Sequence, residues 1–118
     1  MQLMNITNGA VLAEVIRVAG DFKTRLKGLI GRTGLKDDEA LIIQPCSSVH
    51  TCFMSFTIDV VFLSSELYIL RTMEHMRPYR FSPIIAGSRM VVELPAGRLA
   101  ATSTGVGHQL KLLVKEAL

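Results

Sequence analysis

Residues 45–63 read PCSSVHTCFMSFTIDVVFL, and this stretch decides the fold class and the place where a functional site is sought. Its first half is polar and carries two thiols and one imidazole. Its second half, Ile58–Leu63, is apolar except for Asp59, which predicts a strand buried on both faces. A buried carboxylate is unfavourable unless a cation or hydrogen-bond donors pair with it. We therefore expect Asp59 either to stabilise the fold through an ion pair or hydrogen bonds, or to belong to a functional site.

The segments around this strand predict further short strands. Residues 3–6 and 11–15 are rich in apolar side chains and flank Asn8-Gly9, a pair typical of the tight turn of a β-hairpin. Later apolar runs predict strands at residues 40–43, 67–73, 90–94 and 109–114. The run at 67–73 follows a turn at Ser64-Ser65-Glu66, so we expect it to pair antiparallel with the central strand.

Two short helices are also predicted. Asp21 fits an N-cap, and apolar side chains recur at spacings of three or four through residues 22–30 before the glycines that end the pattern. Residues 95–101 begin with proline and predict a second short helix. Six or seven strands with one or two short helices predict a single α+β domain over residues 1–118, dominated by a curled antiparallel or mixed sheet.

Composition excludes several classes of protein. With 118 residues, 49% hydrophobic and 19% charged, the chain predicts one domain with an apolar core. The net charge of +3 is small and the basic residues are scattered without interleaved aromatics, which disfavours nucleic acid as a partner. The chain lacks a secretory signal pattern and an apolar run of roughly 20 residues, so we expect a cytoplasmic protein without a membrane partner. No cofactor is predicted.

The two cysteines leave a metal site open as an alternative. In an extended chain Cys46 and Cys52 would lie about 20 Å apart, beyond disulfide reach, so we expect two thiols. On a strand His50, Cys52 and Met54 would share a face, and with Cys46 they would suit Cu(I). We predict no metal, since a complete four-ligand set with paired spacing is missing. A further alternative is that Cys46 or Cys52 is a nucleophile paired with His50. The simpler interpretation, which we prefer, is a buried and unreactive thiol.

Several blocks of the chain are similar to blocks of one known family. They read GLIGR at 28–32, PC at 45–46, HT at 50–51, FM at 53–54, IDVVFL at 58–63 and VELPAG at 92–97. From about residue 22 to its end the chain thus resembles the family of domain of unknown function 192. The resemblance implies a β-rich domain, often partly closed like a barrel, and it implies no reaction. The family usually has Gly-Asp in its late turn where this chain has Gly107-His108, so the role of that aspartate is not carried over.

The predicted site combines polar groups that packing alone does not explain. Its residues are Arg32, His50, Thr51, Met54, Asp59 and Glu93. We expect a cleft that binds a small ligand or a protein partner without catalysis. In this cleft Arg32 supplies charge, His50 and Thr51 supply hydrogen bonds, and Met54 and Phe53 supply apolar contact. The alternative is an enzyme that uses Asp59 or Glu93 as general acid or base beside His50.

The turn that carries Arg32 has two interpretations. Three glycines surround this residue, and with the guanidinium they could hold an anion. The simpler interpretation is a helix end whose Arg32 reaches a carboxylate, and Asp59 is the carboxylate we expect there, unless Asp59 instead accepts backbone N–H groups.

Overall fold

A computed structural model of the chain describes residues 1–21 and 28–114. In this part of the chain eight short strands and one four-residue helix form. The strands are Gln2–Asn5 (β1), Val11–Ala13 (β2), Val15–Ala19 (β3), Glu39–Ile43 (β4), Ile58–Leu63 (β5), Ile69–Met76 (β6), Met90–Pro95 (β7) and Leu110–Leu113 (β8), and the helix is Arg98–Ala101 (α1). The α+β class, rich in strands and poor in helices, is therefore confirmed.

The strands form two sheets. The smaller sheet has the order β2-β1-β8 and is antiparallel throughout, so the predicted N-terminal hairpin is confirmed. The larger sheet has the order β3-β4-β7-β5-β6; its β3–β4 pair is parallel and its other pairs are antiparallel. Neither sheet closes into a barrel within residues 1–21 and 28–114, so the partly barrel-like shape stays a prediction.

The sequence did not predict β3 as a separate strand. The backbone N–H groups of Glu14 and Val15 both donate to the carbonyl of Asp38, and at this point the chain passes from the smaller sheet to the larger one. The predicted run at 11–15 is thus two strands that belong to different sheets. Most of the predicted first helix falls at 22–27, outside the described residues, and residues 28–31 form a turn.

The larger sheet lies between two apolar layers. On one face it packs against the smaller sheet and α1, where the cluster includes Leu3, Val61 and Leu99. On the other face Val60 and Phe62 pack against loop residues that include Met54. Every residue of β5 is buried because both of its faces are covered, as the continuous apolar run predicted.

The short helix α1 follows β7 through a tight connection. Gly97 has a φ of +88°, a backbone conformation that favours glycine, and Leu99 is buried. Among the described residues no helix is long and apolar enough to cross a membrane.

Candidate functional site

Asp59 is held entirely by backbone N–H groups. Its side chain is fully buried, and Oδ1 accepts a hydrogen bond of 2.9 Å from the N–H of His75. Oδ2 accepts from the N–H groups of Gly97 at 3.1 Å and Leu99 at 3.0 Å. The carboxylate therefore joins β5 to β6 and to the start of α1. The interpretation of Asp59 as a backbone acceptor agrees with this geometry, and Arg32 is not its partner.

Arg32 pairs with a different carboxylate. Its Nη2 lies 3.0 and 3.2 Å from the two oxygens of Glu39, and Glu39 also accepts from the backbone N–H of Lys36 at 2.9 Å. The Lys36 N–H, and after it the Arg32 guanidinium, hold the pKa of Glu39 below its ordinary value against the opposing effect of burial. The expectation of an Arg32–Asp59 pair was wrong because Glu39 lies nearer to Arg32 in both sequence and space.

Glu93 is a third buried carboxyl group in the described part of the larger sheet, after Asp59 and Glu39. It lies on β7 opposite Leu41 of β4 and Val60 of β5, on the loop-covered face of the sheet, and only 3% of it is exposed. Its Oε2 is enclosed and finds no hydrogen-bond partner in the described part of the chain. Burial raises the pKa of Glu93 to about 7, since no cation or donor offsets the loss of water around the charged form.

Two long loops, at residues 44–57 and 77–89, are joined into one layer over that face. We call them the paired loops. Backbone hydrogen bonds of 2.8–3.1 Å connect Cys46 with Arg89, Ser47 with Ile85, Val49 with Ser82, and Thr51 with both Tyr79 and Arg80. The paired loops are thus tied together along much of their length rather than projecting separately.

Thr51 links the two loops at their centre through side-chain hydrogen bonds. It is fully buried, and its Oγ1 donates to the carbonyl of Arg77 at 2.5 Å and accepts from the N–H of Arg80 at 2.9 Å. Its hydroxyl is therefore committed to the loop backbone, where the sequence had suggested a ligand contact. Met54 is also buried, and it packs into the apolar cluster beneath the loops.

Residues 50–54 do not form the strand on which the metal alternative depended. The N–H of Met54 donates to the carbonyl of Thr51 at 3.2 Å and Phe53 has a φ of +64°, so the chain turns here. His50 is exposed, Cys52 is half-buried and Met54 is buried, so they do not share a face. Cys46 is half-buried like Cys52, so the relative accessibility of the two thiols stays a prediction.

The thiol of Cys46 and the imidazole of His50 form hydrogen bonds with nearby backbone groups. Neither cysteine forms a disulfide, as the sequence predicted. The Sγ of Cys46 donates to the carbonyl of Ser48 at 3.1 Å, and the Nδ1 of His50 accepts from the N–H of Cys52 at 3.2 Å. Among the described residues no group of three or more histidine, cysteine or acidic side chains is placed to hold a metal ion.

Exposed rings cover the outer side of the paired loops. Phe53, Tyr79 and Phe81 are 71%, 59% and 73% exposed. Phe53 packs against Tyr79 edge to face, with ring centroids 5.9 Å apart. The ring centroids of His50 and Phe81 lie 6.1 Å apart. We call these four residues the aromatic surface. Large apolar side chains that are exposed together in this way mark an interaction site more often than single ones do.

A shallow cavity of about 380 Å³ adjoins the aromatic surface. Phe81 and the arginines Arg77 and Arg80 line it, together with Glu74 and the end of β6. The sequence predicts site roles for His50 and Phe53 of the aromatic surface but not for Tyr79 and Phe81. A signal was present in the segment PYRFSP at 78–83, which places two aromatic residues around an arginine between two prolines.

The predicted site residues thus fall into different surroundings. The Gly28–Arg32 turn does meet the paired loops, but through the Oγ of Ser55, which donates to the carbonyl of Arg32 at 3.2 Å. Thr51, Met54, Asp59 and Glu93 are buried, whereas His50 is exposed on the aromatic surface.

His108 stands in the late turn where the resembling family usually has aspartate. Its Nδ1 lies 3.0 Å from the Nδ2 of buried Asn5 and 3.3 Å from the N–H of Gly105. Both neighbours are donors, so Nδ1 acts as the acceptor, which is also what a carboxylate does in a turn. The imidazole therefore supplies a hydrogen-bond acceptor to this turn.

Comparisons with known proteins agree on the family and the fold. A protein from Thermococcus sibiricus named as a UPF0127 protein is 29% identical over 97% of this chain and 76% of its own length. A UPF0127 protein of Pyrococcus furiosus is 32% identical over 92% of this chain and 96% of its own length.

Two solved structures share the fold. A protein of unknown function from Novosphingobium aromaticivorans has a TM-score of 0.81 at 20% identity, covering 94% of this chain and 82% of that one. A Sinorhizobium meliloti protein, provisionally described as a transcription regulator, has a TM-score of 0.76 at 21% identity, covering 93% and 89%. The family model described as an uncharacterized ACR, DUF192, matches residues 4–112. This chain therefore belongs to the family of domain of unknown function 192.

Proposed function

We propose that this cytoplasmic domain is a non-enzymatic binding module whose aromatic surface takes up an acidic segment of a protein partner. The observation that carries the proposal is the joint exposure of Phe53, Tyr79 and Phe81 on one layer of hydrogen-bonded loops. A phenylalanine or tyrosine ring offers about 150–250 Å² of surface for burial, so three such rings supply the aromatic anchors that interfaces use.

The hydrogen bonds that join the paired loops support a binding surface rather than incidental exposure of the rings. Thr51 fixes the loop that carries Tyr79 and Phe81, and the backbone pairs on either side hold the two loops in register. Rings held in place before binding lose less conformational entropy when a partner arrives. Phe53, His75 and Tyr79 also have positive φ, a conformation that non-glycine residues keep only where the surrounding structure imposes it.

The charge beside the rings indicates the chemistry of the partner. Arg77 and Arg80 line the cavity next to Phe81, and Glu74 is the acidic residue there. A segment that places apolar side chains on the rings and one or two carboxylates near the arginines would match this surface. Single-stranded nucleic acid also stacks on rings, but it needs a groove of cations along its backbone, and two arginines opposed by one glutamate do not make one.

The alternatives from the sequence are less well supported by this geometry. A general acid or base must reach its substrate, whereas both oxygens of Asp59 hold backbone donors and Glu93 is enclosed. The raised pKa of Glu93 is the single observation in favour of the enzyme, and it follows from burial alone. A Cu(I) site built from Cys52 and Met54 would require a half-buried and a core residue to turn toward one point.

The test is selection from a random peptide library on the immobilised protein, followed by measurement of the affinity of the enriched peptides. We expect enriched sequences with two or more apolar side chains and net negative charge. In the Phe53→Ala, Phe81→Ala double variant the affinity should fall about tenfold or more, because anchors of this kind each contribute on the order of 1–2 kcal/mol. Arg77→Gln should weaken acidic peptides more than neutral ones.

Tyr68→Ala is the matched control, because Tyr68 is an exposed ring outside the aromatic surface. Equal loss of affinity in this control, enrichment of basic peptides, or tighter binding of an oligothymidylate than of any peptide would refute the proposal. So would sedimentation that shows a dimer dependent on Phe81, since the surface would then be occupied by a second copy of the chain.

A further inference from the structure

A second concave region lies at the opposite end of the larger sheet from β6. It is a groove of about 390 Å³ between the edge strand β3 and the turn at residues 28–32. Its volume falls within the range of small-molecule sites, which is about 300–1,000 Å³. Neither the aromatic surface nor the paired loops contribute to its described lining.

The floor of the groove is apolar. Leu41 of β4 and Ala19 of β3 are both buried in the apolar cluster that also contains Val60 and Phe62. Ile30 lines the groove from the turn. Gly31 has a φ of +88°, and a Cβ atom added to it would meet nothing within 4 Å, so the turn presents backbone toward open space. The apolar part of a ligand, a chain of a few carbon atoms, would displace water from this floor, and that displacement favours binding.

Two guanidinium groups stand at the groove. Arg17 is paired in register with Leu41 across β3 and β4, so both side chains project from the same face of the sheet. In the described part of the chain Arg17 makes no direct hydrogen bond or ion pair, although it is near enough to help lower the pKa of Glu39. The guanidinium of Arg32 uses Nη2 for Glu39, and its other N–H groups have no partner among the described residues.

We propose that this groove is a binding site for a small organic carboxylate with an apolar body. Two guanidinium groups face one structural carboxylate, Glu39, so one positive charge is left unbalanced beside an apolar floor. The fork of Arg17 matches the two oxygens of a carboxylate, and the apolar body of the ligand lies over Leu41 and Ile30. The site is independent of the proposed protein-binding function, because it lies on other residues and takes another class of ligand.

The experiment follows amide shifts of the ¹⁵N-labelled protein by NMR during titration with hexanoate. We expect saturable shifts at residues 17–19 and 28–32. Arg17→Gln should raise the dissociation constant about tenfold, since a charge-assisted hydrogen bond to a guanidinium is lost. Arg71→Gln is the matched control, because it removes the same charge from β6 at the far edge of the same sheet and should leave the affinity unchanged.

Hexan-1-ol and inorganic phosphate test the two parts of the ligand separately. Each should bind at least about tenfold more weakly than hexanoate, because one lacks the carboxylate and the other lacks the apolar body. Hexan-1-ol or phosphate binding as tightly as hexanoate, unaltered binding in Arg17→Gln, or shifts that map to the aromatic surface instead of the groove would each overturn the proposal.

Discussion

Glu93→Gln should change the dependence of stability on pH in a direction fixed by the burial of Glu93. The pKa of Glu93 rises from 4.5 to about 7 in the folded protein. Below pH 4.5 the carboxyl group is protonated in both the folded and the unfolded state, so it carries no penalty. Between pH 4.5 and 7 the unfolded chain releases the proton and the folded chain keeps it, so the free energy of unfolding falls as pH rises.

The size of this effect follows from the same pKa difference. The rise of the pKa from 4.5 to about 7 corresponds to about 3 kcal/mol, since one pKa unit is about 1.4 kcal/mol. Because only 3% of Glu93 is exposed, solvent screening does little to reduce that order of magnitude. Glutamine has nearly the same shape and does not ionise, so the variant should be about 3 kcal/mol more stable relative to the parent at pH 8 than it is at pH 4.5.

The assay is urea unfolding of both proteins at intervals from pH 4.5 to 8.5. The difference between the two free energies of unfolding removes the titration of every other group. Glu66→Gln, at an exposed turn, controls for the removal of one carboxylate from the chain. A parent–variant difference that changes by less than about 1 kcal/mol over this range would refute the assignment of Glu93 as an unpartnered buried acid.

Two further predictions concern hydrogen bonds that hold the fold. Asp59→Ala should lower the free energy of unfolding by about 3–5 kcal/mol, because three backbone N–H groups lose a charged acceptor, and Asp59→Asn should cost less but still more than about 1 kcal/mol, since its amide would face at least one of those donors. Thermal and urea unfolding measure both, and an Asp59→Ala protein as stable as the parent would contradict this role. His108→Asp should keep the stability of the parent within about 0.5 kcal/mol at neutral pH, because the acceptor is retained, whereas His108→Leu leaves the donors of Asn5 and Gly105 unmet and should cost about 1–2 kcal/mol. Equal stability of the two variants at position 108 would show that the acceptor does not matter there.

The sequence by itself determined most of the strands. Apolar runs bounded by turn residues predicted seven of the eight described strands near their observed positions, all but β3, and Ile58–Leu63 was predicted with the observed bounds. Such signals are local, because alternation, proline and Asn-Gly pairs act through the chain within a few residues. The change of sheet at Glu14 was missed, because it depends on the carbonyl of Asp38, which is distant in sequence.

Only the tertiary structure decided the surroundings of the candidate residues. The sequence identified Asp59 and Glu93 as buried acids in apolar strands, but it did not distinguish them. In the fold Asp59 reaches the N–H groups of β6 and α1, whereas Glu93 faces apolar neighbours and keeps an unpaired oxygen. The aromatic surface likewise exists only because two loops about 30 residues apart are joined by backbone hydrogen bonds. Burial and polarity can be predicted from composition along the chain, but the partner of a buried polar group is chosen by contacts between distant segments, which local sequence does not encode.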